Sequence, residues 1–111
     1  MITIREYGRS RKEEWVDYRM YVNRKHVGDA TVYEFENGTY IERLDIVDIF
    51  RNRGYGTKFV SWLANRYGCV YAAPDNKDSK RFFDRMGDDE SYGEFGGFDQ
   101  GFGVYKIEPL C

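Results

Sequence analysis

Alternation of apolar and polar positions dominates the first half of the chain. Ile2 and Ile4 stand between polar neighbours and predict a short first strand, followed by a polar loop from Gly8 to Glu14. Val16, Tyr18, Met20 and Val22 share one face of the next segment, Trp15 to Val22, with Asp17 and Arg19 on the other, the pattern of a half-buried strand. Asn23-Arg24-Lys25 reads as a turn into a third strand, His26 to Glu36. Asn37-Gly38, a strong hairpin dipeptide, leads into a fourth, Thr39 to Ile49. Together these segments predict an antiparallel meander.

The period then changes. Phe59, Val60, Leu63 and Tyr67 form a helical stripe that Gly68 closes. Cys69 to Ala73 is an apolar run ended by Pro74, and reads as a buried strand. Asn76 is placed to cap a second helix, Lys77 to Met86, with Phe82, Phe83 and Met86 inward and Gly87 as its stop. Asp88 to Gly103 is acidic and glycine-rich and reads as a loop, with Val104 to Ile107 as a closing strand. The expected fold is α+β (α/β): one mixed, mostly antiparallel twisted sheet with two main helices, in a single domain over residues 1–111.

Composition narrows the classes. Lys and Arg number 17 against 19 Asp and Glu, a formal net charge of -2, so general nucleic-acid binding is disfavoured. Aromatic residues reach 18%, which lets a short chain bury a large apolar area. Cys69 and Cys111 are too few for a disulfide framework, no run has transmembrane length, and the alternating start is no signal peptide. A cytoplasmic protein without a membrane partner is expected. His26 is the only histidine and lies by a turn, and no His/Cys cluster has metal-ligand spacing, so no metal is expected.

The candidate chemistry lies at Arg51-Asn52-Arg53-Gly54-Tyr55-Gly56-Thr57, between the strand ending at Phe50 and the first helix. Two alternating glycines expose backbone N–H groups, and a helix start adds unsatisfied donors and the positive end of its dipole. Arg51, Arg53 and Lys58 add mobile charge. The turn can hold an anion such as a pyrophosphate; it equally suits an ordinary strand-to-helix turn where glycine tolerates positive φ. It lacks the third glycine of a dinucleotide fingerprint and the Gly-Lys-Ser/Thr of a P-loop.

With the second motif added, the sequence resembles the GCN5-related N-acetyltransferase (GNAT) superfamily. Arg51, Gly54 and Gly56 match its Arg/Gln-x-x-Gly-x-Gly/Ala loop, and Asn76, Ser79, Phe82 and Gly87 match its later Asn-x-x-Ala-x-x-Phe-Tyr-x-x-x-Gly segment. The likeness runs from about Tyr40 to Gly87. It implies the acyl-CoA N-acyltransferase fold, acetyl-coenzyme A as co-substrate, and transfer of its acetyl group to a primary amine. It further implies pantetheine contacts from the backbone of Leu44, Asp45 and Ile46, phosphate contacts from Arg51 through Thr57, Asn76 near the pantetheine, and Lys80 or Arg81 reaching a coenzyme phosphate. The alternation Tyr40, Glu42, Leu44, Ile46 weakens from Asp45 to Ile49, where a bulge that splays the strand is expected.

A lysine-like amine, with a pKa of about 10.4, must lose a proton before it attacks. Glu42 is the candidate base, through a water, with Tyr40 two residues earlier on the same face shaping the acceptor site; the alternative for Glu42 is pairing with a cross-strand cation. A backbone N–H near Leu44 to Ile46 would face the developing oxyanion. Phe83 stands where many relatives carry a tyrosine acid, and Tyr71 where some carry a glutamate, which leaves Tyr71, Tyr92, Tyr105 or water to protonate the thiolate. Relatives also place two helices between the first and second strands, where this chain has only Gly8 to Glu14. An open acceptor groove follows, suited to a protein lysine or N-terminus, or to completion by a partner subunit such as a second copy in a homodimer. The acidic loop Asp88 to Asp99 either attracts a cationic acceptor or is a solvated surface. Two other readings stand beside the enzyme: a silent acyl-coenzyme A-binding module, and an interaction or inhibitor protein on the same scaffold.

Overall fold

Seven strands form one sheet in the order β1-β2-β3-β4-β5-β7-β6. The computed structural model describes residues 1–36, 38–74, 77–86, 88–90 and 104–108. The strands are β1 (Ile2–Ser10), β2 (Trp15–Val22), β3 (Lys25–Phe35), β4 (Gly38–Ile46), β5 (Val70–Ala72), β6 (Asp88–Glu90) and β7 (Val104–Ile107); the helices are α1 (Tyr55–Tyr67) and α2 (Lys77–Met86). β1 to β4 form the expected antiparallel meander, whereas α1 crosses over to bring β5 parallel to β4. β7 then pairs antiparallel with both β5 and β6.

Several boundaries differ from the sequence reading. β1 continues through Gly8, Arg9 and Ser10, which pair with Asp17, Val16 and Trp15, so only residues 11–14 form the loop. These residues carry no apolar alternation because an edge strand needs no buried face to keep its ladder. Asn23 and Arg24 both have positive φ, 50° and 71°, the backbone of a two-residue hairpin turn built without glycine. Gly38 opens β4 opposite Phe35, and Asn37 of the hairpin dipeptide lies outside the described residues. β4 stops at Ile46, and Asp48–Phe50 forms a 3-10 turn in place of more strand. Asp88–Glu90, read as loop, is a short edge strand on β7. Asn76, Gly87 and residues 91–103 of the acidic segment lie outside the described residues.

Both helices pack on one face of the sheet. α1 buries Phe59, Val60, Leu63 and Ala64 completely, against Val16, Tyr18 and Met20 of β2, Val32 of β3, Ile41 of β4 and Tyr105 of β7; Phe83 of α2 joins the same core. A smaller cluster on the opposite face contains Tyr40, Tyr71 and Val104, with Tyr33, Phe35 and Cys69 packed against it. Cys69 is thus half-buried at a cluster margin and not in the main core. No helix among the described residues is long and apolar enough to cross a membrane.

The far end of α1 is pinned by polar contacts. Tyr67 donates to Glu34 Oε2 at 2.7 Å and meets the Tyr18 hydroxyl at 2.6 Å, Arg66 donates to that hydroxyl at 2.9 Å, and Arg9 reaches Glu34 Oε1 at 2.7 Å. Burial pushes the Glu34 carboxyl up, but the hydrogen bonds from Tyr67 and Arg9 outweigh it and hold the group below the ordinary carboxylate value. A depressed native pKa stabilises the fold above the unfolded value of about 4.3, and that contribution disappears as pH falls through the native one. Melting temperature should therefore drop on acidification below about pH 4.5, and Glu34→Gln should flatten that part of the profile; an unchanged acid limb in the variant would assign it to other carboxylates.

A close approach inside the sheet fixes a second expectation. A Cβ on Gly28 of β3 would meet Ile46 Cδ1 at 2.7 Å and the Asp45 carbonyl oxygen at 2.9 Å. The carbonyl belongs to the neighbouring strand and cannot swing away. Gly28→Ala should cost about 1–3 kcal/mol in denaturant unfolding, where an ordinary central-strand glycine would gain from alanine.

Candidate functional site

The site begins with a parity change in β4. Val32 pairs with Ile41, but Thr31 pairs with Arg43, so Glu42 is an extra residue in a β-bulge. The bulge was expected at Asp45 to Ile49; it lies three residues earlier because the ladder with β3 stays regular from Arg43 to Ile46. Its effect is to reverse the facing. Ile41, Leu44 and Ile46 turn toward the helices, while Tyr40 joins the cluster on the opposite face. Tyr40, Leu44 and Ile46 therefore do not share a face, as uninterrupted alternation had implied.

Beyond the bulge β4 loses its second neighbour. β5 pairs only with Tyr40 and Ile41, through Tyr71 and Ala72, and β5 ends there. The edge of β4 from Glu42 to Ile46 that faces away from β3 has no strand beside it among the described residues, and the two parallel strands splay apart. A groove of about 1310 Å³ fills the gap, above the roughly 300–1,000 Å³ of ordinary small-molecule pockets. Its walls come from both faces of the sheet: Phe50, Tyr55 and Phe82 on the helix side, Tyr33 and Tyr40 on the other. The cleft passes through the sheet.

On the helix side the groove ends at the start of α1. The first bond of the helix runs from Lys58 N–H to the Gly54 carbonyl at 3.1 Å, so the N–H groups of Tyr55, Gly56 and Thr57 precede the ladder. No side chain caps them. Asn52 and Gly54 hold left-handed conformations, φ 64° and 82°, and a Cβ on Gly54 would meet nothing within 4 Å, so the donors face open space. Gly56 answers to packing instead. A Cβ there would come within 3.1 Å of the Phe82 ring, so this glycine lets α2 close over the helix start.

The sequence-derived site residues divide into those brought together and those not. Tyr40, Glu42, Leu44, Asp45, Ile46, Arg51, Asn52, Gly54, Tyr55, Gly56, Thr57 and Phe83 all line the groove. Glu42 is exposed and has no hydrogen bond or ion pair with a described residue, so the cross-strand cation considered as its partner is not there. Arg51 donates to the Ile46 carbonyl at 3.0 Å and sits 3.3 Å from Asp48, which ties the turn to the end of β4. Arg53 lies 5.8 Å above the Phe50 ring and outside the groove wall. Lys80 is also outside: its ammonium bonds the Tyr105 hydroxyl and Asp84, contacts that raise its pKa, the hydroxyl first. Asn76 lies outside the described residues.

Lys77, Phe82 and Arg85 of α2 also line the groove, and sequence reasoning missed their role. Asp78, Phe82 and Arg85 fall at i, i+4 and i+7, a spacing that could have shown them to share a helix face. Tyr33 carried no such signal. Its place follows only from its pairing with Tyr40 across β3 and β4.

The overall arrangement of strands and helices is shared with solved structures. A GNAT family acetyltransferase from Elizabethkingia anophelis with acetyl-CoA bound superposes with a TM-score of 0.68 at 12% identity, over 96% of this chain and 97% of that one. The chain has the GNAT fold. An acetyltransferase of the GNAT family from Staphylococcus aureus Mu50 gives the same TM-score at 16% identity, over 99% and 100% of the two chains. N-acetylglutamate synthase from Neisseria gonorrhoeae, complexed with coenzyme A and N-acetyl-glutamate, gives 0.71 at 13% identity, over all of this chain and 36% of that one. No family model and no curated protein sequence matches the chain. The GNAT fold is held here by packing and register and not by overall sequence identity. Its four-stranded meander runs from β1 to β2 through residues 11–14 alone, without helices between them.

Proposed function

We propose that this protein, acting as one domain over residues 1–111, transfers an acetyl group from acetyl-coenzyme A to a primary amine, with a protein lysine or N-terminus as acceptor. The observation that carries this is the splayed edge of β4 opening directly onto an uncapped helix start. A pantetheine arm can bond the free edge of Leu44, Asp45 and Ile46 as an added strand. The coenzyme pyrophosphate fits the donors of Tyr55, Gly56 and Thr57, with Asn52 and Gly54 shaping the turn and Arg51 and Arg53 near it. Lys77 and Arg85, on the groove wall, are better placed than Lys80 for the remaining phosphate charge.

The acceptor amine would enter from the opposite face, past Tyr33 and Tyr40. Glu42, through a water, takes the ammonium proton; the amine nitrogen then bonds the acetyl carbonyl carbon, whose oxygen is held by a backbone N–H of β4. The carbon–sulfur bond breaks, the nitrogen gives up its second proton to water, and the coenzyme thiolate takes a proton. Phe83 carries no hydroxyl, and the Tyr105 hydroxyl is occupied by Asp84 and Lys80. Tyr71 is not on the groove wall and Tyr92 lies outside the described residues, which leaves water, or Tyr40, whose ring lines the groove, as the proton source within the described site.

The same absence of a hydroxyl at Phe83 favours a second reading, a silent acyl-coenzyme A-binding module. One experiment separates them. Acetyl-coenzyme A should raise the melting temperature under either reading, whereas release of free thiol with a panel of lysine peptides is expected only of the transferase. No thermal shift at all would defeat both.

A further inference from the structure

The sheet face opposite the helices carries a second pocket, at its β1 edge, of about 340 Å³, lined by Arg5, Glu6, Tyr7, Arg19, Tyr21 and Arg24 with Thr3 at its side. Its charge is unbalanced. Arg5 stands directly opposite Arg19 across β1 and β2, an arrangement in which like charges repel. Arg19 is compensated by Asp29 at 3.2 Å and lies 3.7 Å over the Tyr7 ring. Glu6, the nearby carboxylate, is taken by Arg9 at 2.9 Å. Arg5 and Arg24 have no ionic partner among the described residues.

Between this pocket and the groove most side chains of the same face are paired. Thr31 bonds Asp17, Asp29 holds Arg19 and His26, and Arg43 lies 3.6 Å from Asp45. The cross-strand row Arg5, Arg19, Asp29, Asp45 runs straight across four strands to the groove mouth. Charge without an ionic partner stands at the two ends, a carboxylate, Glu42, at the groove and two guanidiniums at the far edge, while Asp17 between them is held by the Thr31 hydroxyl. Three strand spacings of about 4.8 Å, with the offset along β4 from Asp45 to Glu42 at about 3.3 Å per residue, separate the ends by roughly 17 Å. An extended peptide, at about 3.3 Å per residue, covers that distance in about five residues.

We infer that the pocket of Arg5, Arg19 and Arg24 is a recognition site for an acidic side chain of the acceptor protein, about five residues from the amine that enters the groove. This inference rests on the transferase reading for the identity of the amine. Guanidinium forks match a carboxylate in two-point geometry, and Tyr7 and Tyr21 stand beside them in the pocket wall. A nucleic acid fits the face less well, because its next phosphates would meet Asp29, Asp45 and Glu42 on the way to the groove.

The test uses two peptides of equal length, each with one lysine, carrying Glu or Gln at five residues on both sides of it. Fluorescence anisotropy in saturating coenzyme A should show the Glu peptide binding at least about 10-fold more tightly, and Arg5→Gln with Arg24→Gln should remove the preference. Stabilisation by acetyl-coenzyme A should be unchanged in that double variant, which confirms that it folds and keeps the coenzyme site. Equal binding of the two peptides, no binding of either, or a preference that survives the double variant would overturn the inference. A single-stranded oligonucleotide that displaces the Glu peptide in an Arg5- and Arg24-dependent way would assign the pocket to nucleic acid and overturn it too. Failure of acetyl-coenzyme A to stabilise the wild type, with the peptide preference intact, would instead remove the transferase reading and leave the pocket.

Discussion

Gly54→Asp is expected to lower the affinity for acetyl-coenzyme A by roughly 100-fold or more, about 3 kcal/mol, while the protein stays folded. The position is open, with nothing within 4 Å of an added Cβ, so no side chain is displaced. Its φ of 82° is left-handed, a conformation that Asp and Asn tolerate better than other residues. What changes is charge. A carboxylate would stand where the donors of Tyr55, Gly56 and Thr57 now face solvent, satisfying them itself and repelling a pyrophosphate. Two unit charges about 4 Å apart near a surface interact by roughly 4 kcal/mol, enough for the stated loss. Gly54→Asn shares the shape without the charge and should lose far less. Calorimetric titration of both variants checks this; equal losses would mean that backbone strain, and not an anion at the helix start, governs the site.

Glu42→Gln is expected to lower kcat by about 100-fold or more with little change in KM for acetyl-coenzyme A, the size associated with a positioned general base. The carboxylate lines the groove without a partner among the described residues, so its removal orphans nothing and should leave the melting temperature within about 0.5 kcal/mol of stability of the wild type. Thiol release measured across pH should show the rate of the variant recovering as pH rises toward the amine's own pKa of about 10.4, because a free amine needs no base. An unaltered kcat in the variant would move the proton transfer to solvent and leave Glu42 as a bystander on the bulge.

Both expectations depend on features that were legible to different degrees. The glycine turn could be found because its requirements are local. A left-handed φ at Gly54 and a helix start with no capping side chain leave marks in consecutive residues, and α1 and α2 announce themselves by spacing. Exact bounds for α2, Lys77–Met86, and for β2 and β7 follow from the same periodicity. Tyr40, Leu44 and Ile46 were assigned to one face by counting alternate positions, and that failed. A bulge is a mismatch between two strands, and β4 by itself does not state how many residues β3 sets against it.

The chain by its sequence alone determined the meander, the crossover helix and the anion-holding turn, because alternation, helical spacing and glycine chemistry act between neighbours along the backbone. Tertiary structure alone decided the rest. The register of β3 against β4 made Glu42 the bulge and turned Tyr40 to the opposite face; the short overlap of β5 with β4 opened the groove; and the packing of α2 against β7 took Lys80 away from the groove to Tyr105 and Asp84. Each of these depends on which distant segments meet, and in what alignment, a choice made by the burial of a common core and not by any local pattern.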